Sequence, residues 1–257
     1  MQLKITPNVG PRYWTAIMIA SMFGANFGDM LPDILKLSTG LGLLVEIAMF
    51  AAIVLADRMT RHGNEAFYWL SILVVRAAAT NIADFAVAKA HFGYVPVAVA
   101  LAALLTGLIL VHRGLGPKAS TGTLPPTNGF YWFTVLTAGA LGTIMGDGIG
   151  HSFGPVTLGV PISAGAATLA MALMLGAQAA LKWTTAVAYW VTIVVVRWWG
   201  TNFGDMLAFF LGLTVSMAVT GAALAVVLFV WRAPLTGRGG DPQWGSKAKP
   251  AEFPEPF

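Results

Sequence analysis

Cysteine is absent from the chain, which removes a disulfide framework and any thiolate metal site and leaves the redox compartment open. Charge is scarce. Asp, Glu, Lys and Arg make up 10% of the 257 residues, against 57% hydrophobic residues and a mean hydropathy of +0.73. That balance excludes an ordinary water-soluble globule. The net charge of +4 comes from Lys and Arg in short loops and near the C-terminal end, with no long basic run, and points to no nucleic-acid partner. Histidine is also rare. His62, His91, His112 and His151 stand near segment ends without shared spacing, which argues against a histidine metal site.

What the chain does have is a frame repeated four times. Tyr13-Trp14 leads to Asp29, Tyr68-Trp69 to Asp84, Tyr131-Trp132 to Asp147 and Tyr189-Trp190 to Asp205. The Tyr-to-Asp offset is sixteen residues each time, with Gly or Ala before every Asp, so the frame reads as internal repetition. Each frame is one apolar segment long enough to cross about 30 Å of hydrocarbon as a helix. A second such segment follows it, near 41–56, 94–112, 157–180 and 210–231. Pro32, Pro96 and Pro155 mark the breaks after the first three aspartates, whereas the apolar stretch after Asp205 demands a tight turn.

The expected architecture is an all-α integral membrane protein with eight transmembrane helices from four parallel two-helix repeats. Two similar halves, 1–118 and 119–232, precede a mobile tail at 233–257 that is rich in Pro and Gly. The N-terminal segment reads as a retained first span and not a cleaved signal peptide. One side of this weave holds Lys4, Arg12, Arg58, Arg61, Arg113, Lys118, Lys182 and Arg232; the other holds Lys36 and Lys89. The excess places both termini in the cytoplasm and the Tyr-Trp pairs at the cytoplasmic interface, as headgroup-level anchors.

Positions eight, eleven, twelve, fifteen and sixteen after each Tyr share one helical face. In the last repeat these are Arg197, Gly200, Thr201, Gly204 and Asp205. The stripe should face the other repeats, since small residues favour close helix approach and charge avoids lipid. At 1.5 Å per residue, the aspartates lie ~24 Å and Arg76 and Arg197 ~12 Å from the tyrosines. Asp29, Asp84, Asp147 and Asp205 then ring one axis near the outer face, as candidate cation or metal ligands. Asn26, Asn81 and Asn202, with Thr80, Thr143 and Thr201, add neutral oxygens, and Ile144 breaks that set in the third repeat. Oxygen-only ligands suit a hard divalent cation such as magnesium, manganese or calcium; no other cofactor is implied. Arg76 and Arg197 would gate the path or balance its charge, with Glu46 the acid placed to pair with one of them. Gly24/Gly28, Gly142/Gly146 and Gly200/Gly204 admit a plainer account, in which the stripe is only helix packing.

The four copies, each with two spans and a characteristic Trp (Trp14, Trp69, Trp132, Trp190), resemble a bacterial inner-membrane family built of a tandem repeat of unknown function. The resemblance covers about residues 11–232 and implies eight spans in a bacterial plasma membrane, with no catalytic residues to carry over. Intramembrane aspartyl proteases are excluded: their Tyr-Asp and Gly-x-Gly-Asp motifs are absent, the residues here reading Asn-Phe-Gly-Asp or Ile-Met-Gly-Asp. The expected function is therefore not enzymatic. It is a transporter or channel for a small cation in the lipid bilayer, and a homo-oligomer is compatible with it. The alternatives are a membrane scaffold or assembly factor, and an anion or small-acid carrier centred on Arg76 and Arg197.

Overall fold

A computed structural model describes residues 2–115, 124–181, 185–231 and 235–237. Lys118, Lys182, Arg232 and the tail from 238 onward lie outside these residues, as do the side chains of Lys89, His112 and Arg113.

Among the described residues, eight α-helices follow one another in four pairs: α1 (Pro11–Asp33), α2 (Thr39–Met59), α3 (Glu65–Asp84), α4 (Tyr94–Leu115), α5 (Gly129–Ser152), α6 (Val156–Leu181), α7 (Ala186–Leu211) and α8 (Leu213–Val230). The frame helices are the odd-numbered ones, and polar caps start them. Asn64, Asn128 and Thr185 accept from the backbone N–H of Ala66, Tyr131 and Ala188, and α1 instead opens with Pro11. A cap of this kind is worth about 1 kcal/mol. The prolines punctuate less sharply than the sequence suggests. Pro32 lies inside the last turn of α1, and α3 runs past Asp84 into a π-helical turn, Phe85–Lys89. Each pair turns through one residue of positive φ: Lys36, His91, Gly154 and Gly212. Gly212 alone separates α7 from α8, the tight turn that the apolar stretch requires.

The odd-numbered helices pack into a closed ring, α1 on α3, α3 on α5, α5 on α7 and α7 back on α1. The even-numbered helices surround it, each lying mainly on the frame helix of the next repeat: α2 on α3, α4 on α5, α6 on α7 and α8 on α1. Ring closure uses the small residues. A methyl group on Gly24 would lie 2.6 Å from Arg76 Cβ and one on Gly139 2.7 Å from Ala79 Cβ, while one on Gly142 would collide with Arg197 Cβ and one on Gly200 with Ser21. These four contacts join position eight of one frame to position eleven of its neighbour, so the same close approach recurs around the ring.

Among the described residues, five helices are long and apolar enough to cross a membrane: α2, α3 with its π-helical extension, α4, α6 and α8. The other three frame helices, α1, α5 and α7, are long enough but carry the polar stripe and aromatic residues, many of which are buried inside the ring. Among the described residues, two short strands depart from the all-helical expectation. β1 (Ile5–Pro7) pairs antiparallel with β2 (Leu235–Gly237), so part of the expected mobile tail is held to the N-terminal segment by backbone hydrogen bonds.

Candidate functional site

The frame helices present layers of side chains to the axis of the ring. At one end stand the four tyrosines. Their hydroxyls form a closed square: Tyr13 to Tyr68 at 3.1 Å, Tyr68 to Tyr131 at 2.8 Å, Tyr131 to Tyr189 at 3.2 Å and Tyr189 to Tyr13 at 2.8 Å. Each tyrosine also meets the tryptophan of the next frame, Tyr13 with Trp69, Tyr68 with Trp132, Tyr131 with Trp190 and Tyr189 with Trp14. All eight rings are buried. They are therefore core and not headgroup-level anchors, a correction to the sequence reading. The signal was available, since Tyr lies on the same helical face as positions eight and eleven.

One turn further along, Ile17, Ile72, Val135 and Ile193 form a buried apolar layer. Beyond it come the two arginines, both fully buried. Arg76 is held by hydroxyls alone. It donates from Nε to Ser21 Oγ (3.3 Å), from Nη1 to Thr80 (2.5 Å) and Thr143 (2.9 Å), and from Nη2 to Thr201 (2.6 Å). Arg197 is different: Nε, Nη1 and Nη2 are all buried with no hydrogen-bond partner among the described residues. The two also face opposite ends. Arg197 stands within Coulombic reach of all four tyrosines, and Arg76 within that of all four aspartates.

Asp29, Asp84, Asp147 and Asp205 mark the other end at a common level. All four are half-buried, and their carboxylates make no hydrogen bond or ion pair among the described residues. They do not close into a metal cage either, for among the described residues no three His, Asp or Glu are gathered to hold an ion.

The remaining candidates are placed elsewhere. Thr80, Thr143 and Thr201 serve Arg76 and so do not join the carboxylates as ligands. Asn26 donates to Ser216 on α8 (2.5 Å), Asn81 to Glu46 on α2 (2.8 Å) and Asn202 to the Trp198 carbonyl (3.0 Å). Position thirteen points away from the axis, and Ile144 there leaves the inner face unchanged. Glu46 is buried against Asn81 and pairs with neither arginine. The one ion pair among the described residues, Arg12 with Glu65 at 2.5 Å, ties α1 to α3 beside the tyrosine end. Glu65 also accepts from Trp69 Nε1 at 2.6 Å, so the acid links two successive frames.

Residues 12–62 match a protein family described as Repeat of Unknown Function (DUF347). The match is one two-helix unit. It begins in the first turn of α1 and ends just after α2, the unit that the other three pairs repeat. No curated protein and no solved structure matches the chain.

Proposed function

We propose that the protein is a multi-pass transporter of the bacterial inner membrane that takes up a small hydrated cation at its aspartate end. The eight helices span the bilayer, the surrounding ones facing lipid with exposed side chains such as Leu44, Val95, Leu169 and Phe229. The excess of Lys and Arg on the tyrosine side sets both termini in the cytoplasm. The observation that carries the reading is the mouth itself: four half-buried carboxylates around one axis with no partner among the described residues. Carboxylates so placed concentrate cations. Arg76 alone lies within Coulombic reach of all four, so a bound cation offsets the negative charge that one guanidinium leaves when they ionise. Because the threonines and asparagines are engaged elsewhere, the ion keeps much of its water, as magnesium readily does. The arginine layer and the tyrosine square below close the path, so passage requires both to rearrange.

The four aspartates are equivalent in this geometry, and Asp84→Asn, Asp147→Asn and Asp205→Asn should each weaken cation binding about equally. The measurement is thermal stabilisation of purified protein by magnesium, manganese and calcium, together with flux into proteoliposomes. Wild-type stabilisation that shrinks in all three variants supports the reading. If no cation stabilises the wild type and the variants keep normal activity in cells, the scaffold alternative replaces it. The glycine contacts that close the ring favour that alternative, and it predicts that Gly204→Leu damages the protein while Asp→Asn does not.

A further inference from the structure

The least satisfied group in the described chain is the Arg197 guanidinium. Its three nitrogens are buried and bond to nothing among the described residues, and the side chain has 0% exposure. A charge in that position is costly unless something of opposite sign or matching hydrogen bonds meets it. The acids on the axis do not meet it, because all four lie toward Arg76. Glu65 is taken by Arg12 and Glu46 by Asn81.

The tyrosine square does not neutralise it either. Four hydroxyls joined by four hydrogen bonds use one proton for each edge, so the square stays neutral and has no donor left over. The guanidinium is left beside neutral oxygens and the apolar layer of Ile17, Ile72, Val135 and Ile193. Dry walls strengthen attraction to an anion, and guanidinium, being weakly hydrated, matches anions that also shed water easily.

We propose that Arg197 is the centre of a binding site for a small, weakly hydrated monovalent anion of halide size, enclosed between the tyrosine square and the Arg76 layer. One guanidinium supplies one charge, which sets the valence. Arg197 has 0% exposure among buried side chains, so only a small ion has room beside it. Because every tyrosine proton is already used within the square, a hydroxyl that turns to donate to the anion must break one edge. Anion binding is thereby coupled to the layer that closes the cytoplasmic end.

The test uses full-length protein in detergent at fixed sodium concentration, with gluconate replaced stepwise by bromide, and reads the melting temperature. Holding sodium constant makes the outcome independent of the cation reading. The expected result is a rise of several degrees in the wild type, smaller with fluoride, that is lost in Arg197→Gln. Crystals grown in bromide should show an anomalous peak within hydrogen-bonding distance of Arg197, a readout that stands even where the variant fails to fold. An unchanged melting temperature in bromide, an equal rise in Arg197→Gln, or bromide bound within the ring but away from Arg197 overturns the proposal.

Discussion

Arg76 and Arg197 occupy the same place in two frames, eight residues after Tyr68 and Tyr189, yet their surroundings are opposite. Both face a neighbouring glycine, Gly24 and Gly142, and both are buried. One donates to four hydroxyls and the other to none among the described residues. The cause is that two cations share one axis. They repel, so one turns toward the threonines and aspartates and the other toward the tyrosines, which is the direction a helical side chain leans by default. Repetition in sequence therefore fixes where a side chain begins but not where its charge ends.

Replacement by a neutral side chain of similar length should separate the two arginines by sign. Arg76→Met removes four charge-assisted hydrogen bonds that join all four frame helices, and should destabilise by about 3 kcal/mol. Thr80 and Thr201 fall back on carbonyls one turn behind them, which limits the loss. Arg197→Met removes a buried cation without a protein partner, and in gluconate should stabilise by about 2 kcal/mol. Unfolding in detergent by two probes measures both. Equal losses at the two positions would mean that Arg197 has a partner as good as the hydroxyls of Arg76, and the contrast would fail.

The four-unit plan was legible in the sequence because a sixteen-residue offset survives whatever the side chains contact. Helix ends were legible to within three residues for the second helix of each pair, since length and apolarity decide them. The site was legible only in part. The stripe of positions eight, eleven, twelve, fifteen and sixteen predicted that arginines, threonines and aspartates face inward. Grouping the asparagines with them ignored that position thirteen lies well round the helix from that stripe, where Asn26 and Asn81 meet α8 and α2 instead. Glu46 was assigned to an arginine by depth alone, but depth does not say which helix a residue faces. The tyrosine square escaped because Tyr and Trp at a span end have a general explanation in the headgroup layer, which hid the helical face that each Tyr shares with positions eight and eleven.

The glycines opposite the two arginines offer a test of how deep the equivalence runs. An added methyl at Gly24 meets the Arg76 side-chain stem at 2.6 Å and the Leu73 carbonyl at 3.0 Å, and at Gly142 it meets backbone atoms of Trp198 and Val194, each at 2.8 Å. Neither neighbour yields cheaply, so Gly24→Ala and Gly142→Ala should each cost about 2 kcal/mol by overpacking. If Gly142→Ala proves harmless while Gly24→Ala does not, the two halves of the ring differ in backbone packing as well as in arginine contacts.

The tyrosine square should respond most weakly and most evenly. Each tyrosine takes part in one edge of 2.8 Å and one of 3.1 or 3.2 Å, so none is privileged by geometry. A Tyr→Phe change deletes two edges, leaves one neighbour without its acceptor and another without its donor, and keeps the ring contacts with tryptophan. The net loss for a hydrogen-bonded hydroxyl is about 1 kcal/mol, and the four single variants should agree within about 0.5 kcal/mol. The double variant Tyr13→Phe with Tyr131→Phe removes opposite corners and all four edges, whereas Tyr13→Phe with Tyr68→Phe removes three. In the adjacent pair the second corner costs less than the first because the edge they share is already broken, and if the square is one cooperative unit the second corner of the opposite pair also costs less, although both of its own edges are still in place. Additive losses in both pairs, or one tyrosine standing far above the rest, would show four separate hydroxyls that happen to lie close together. The proposed path would then need some other closure beneath Arg197.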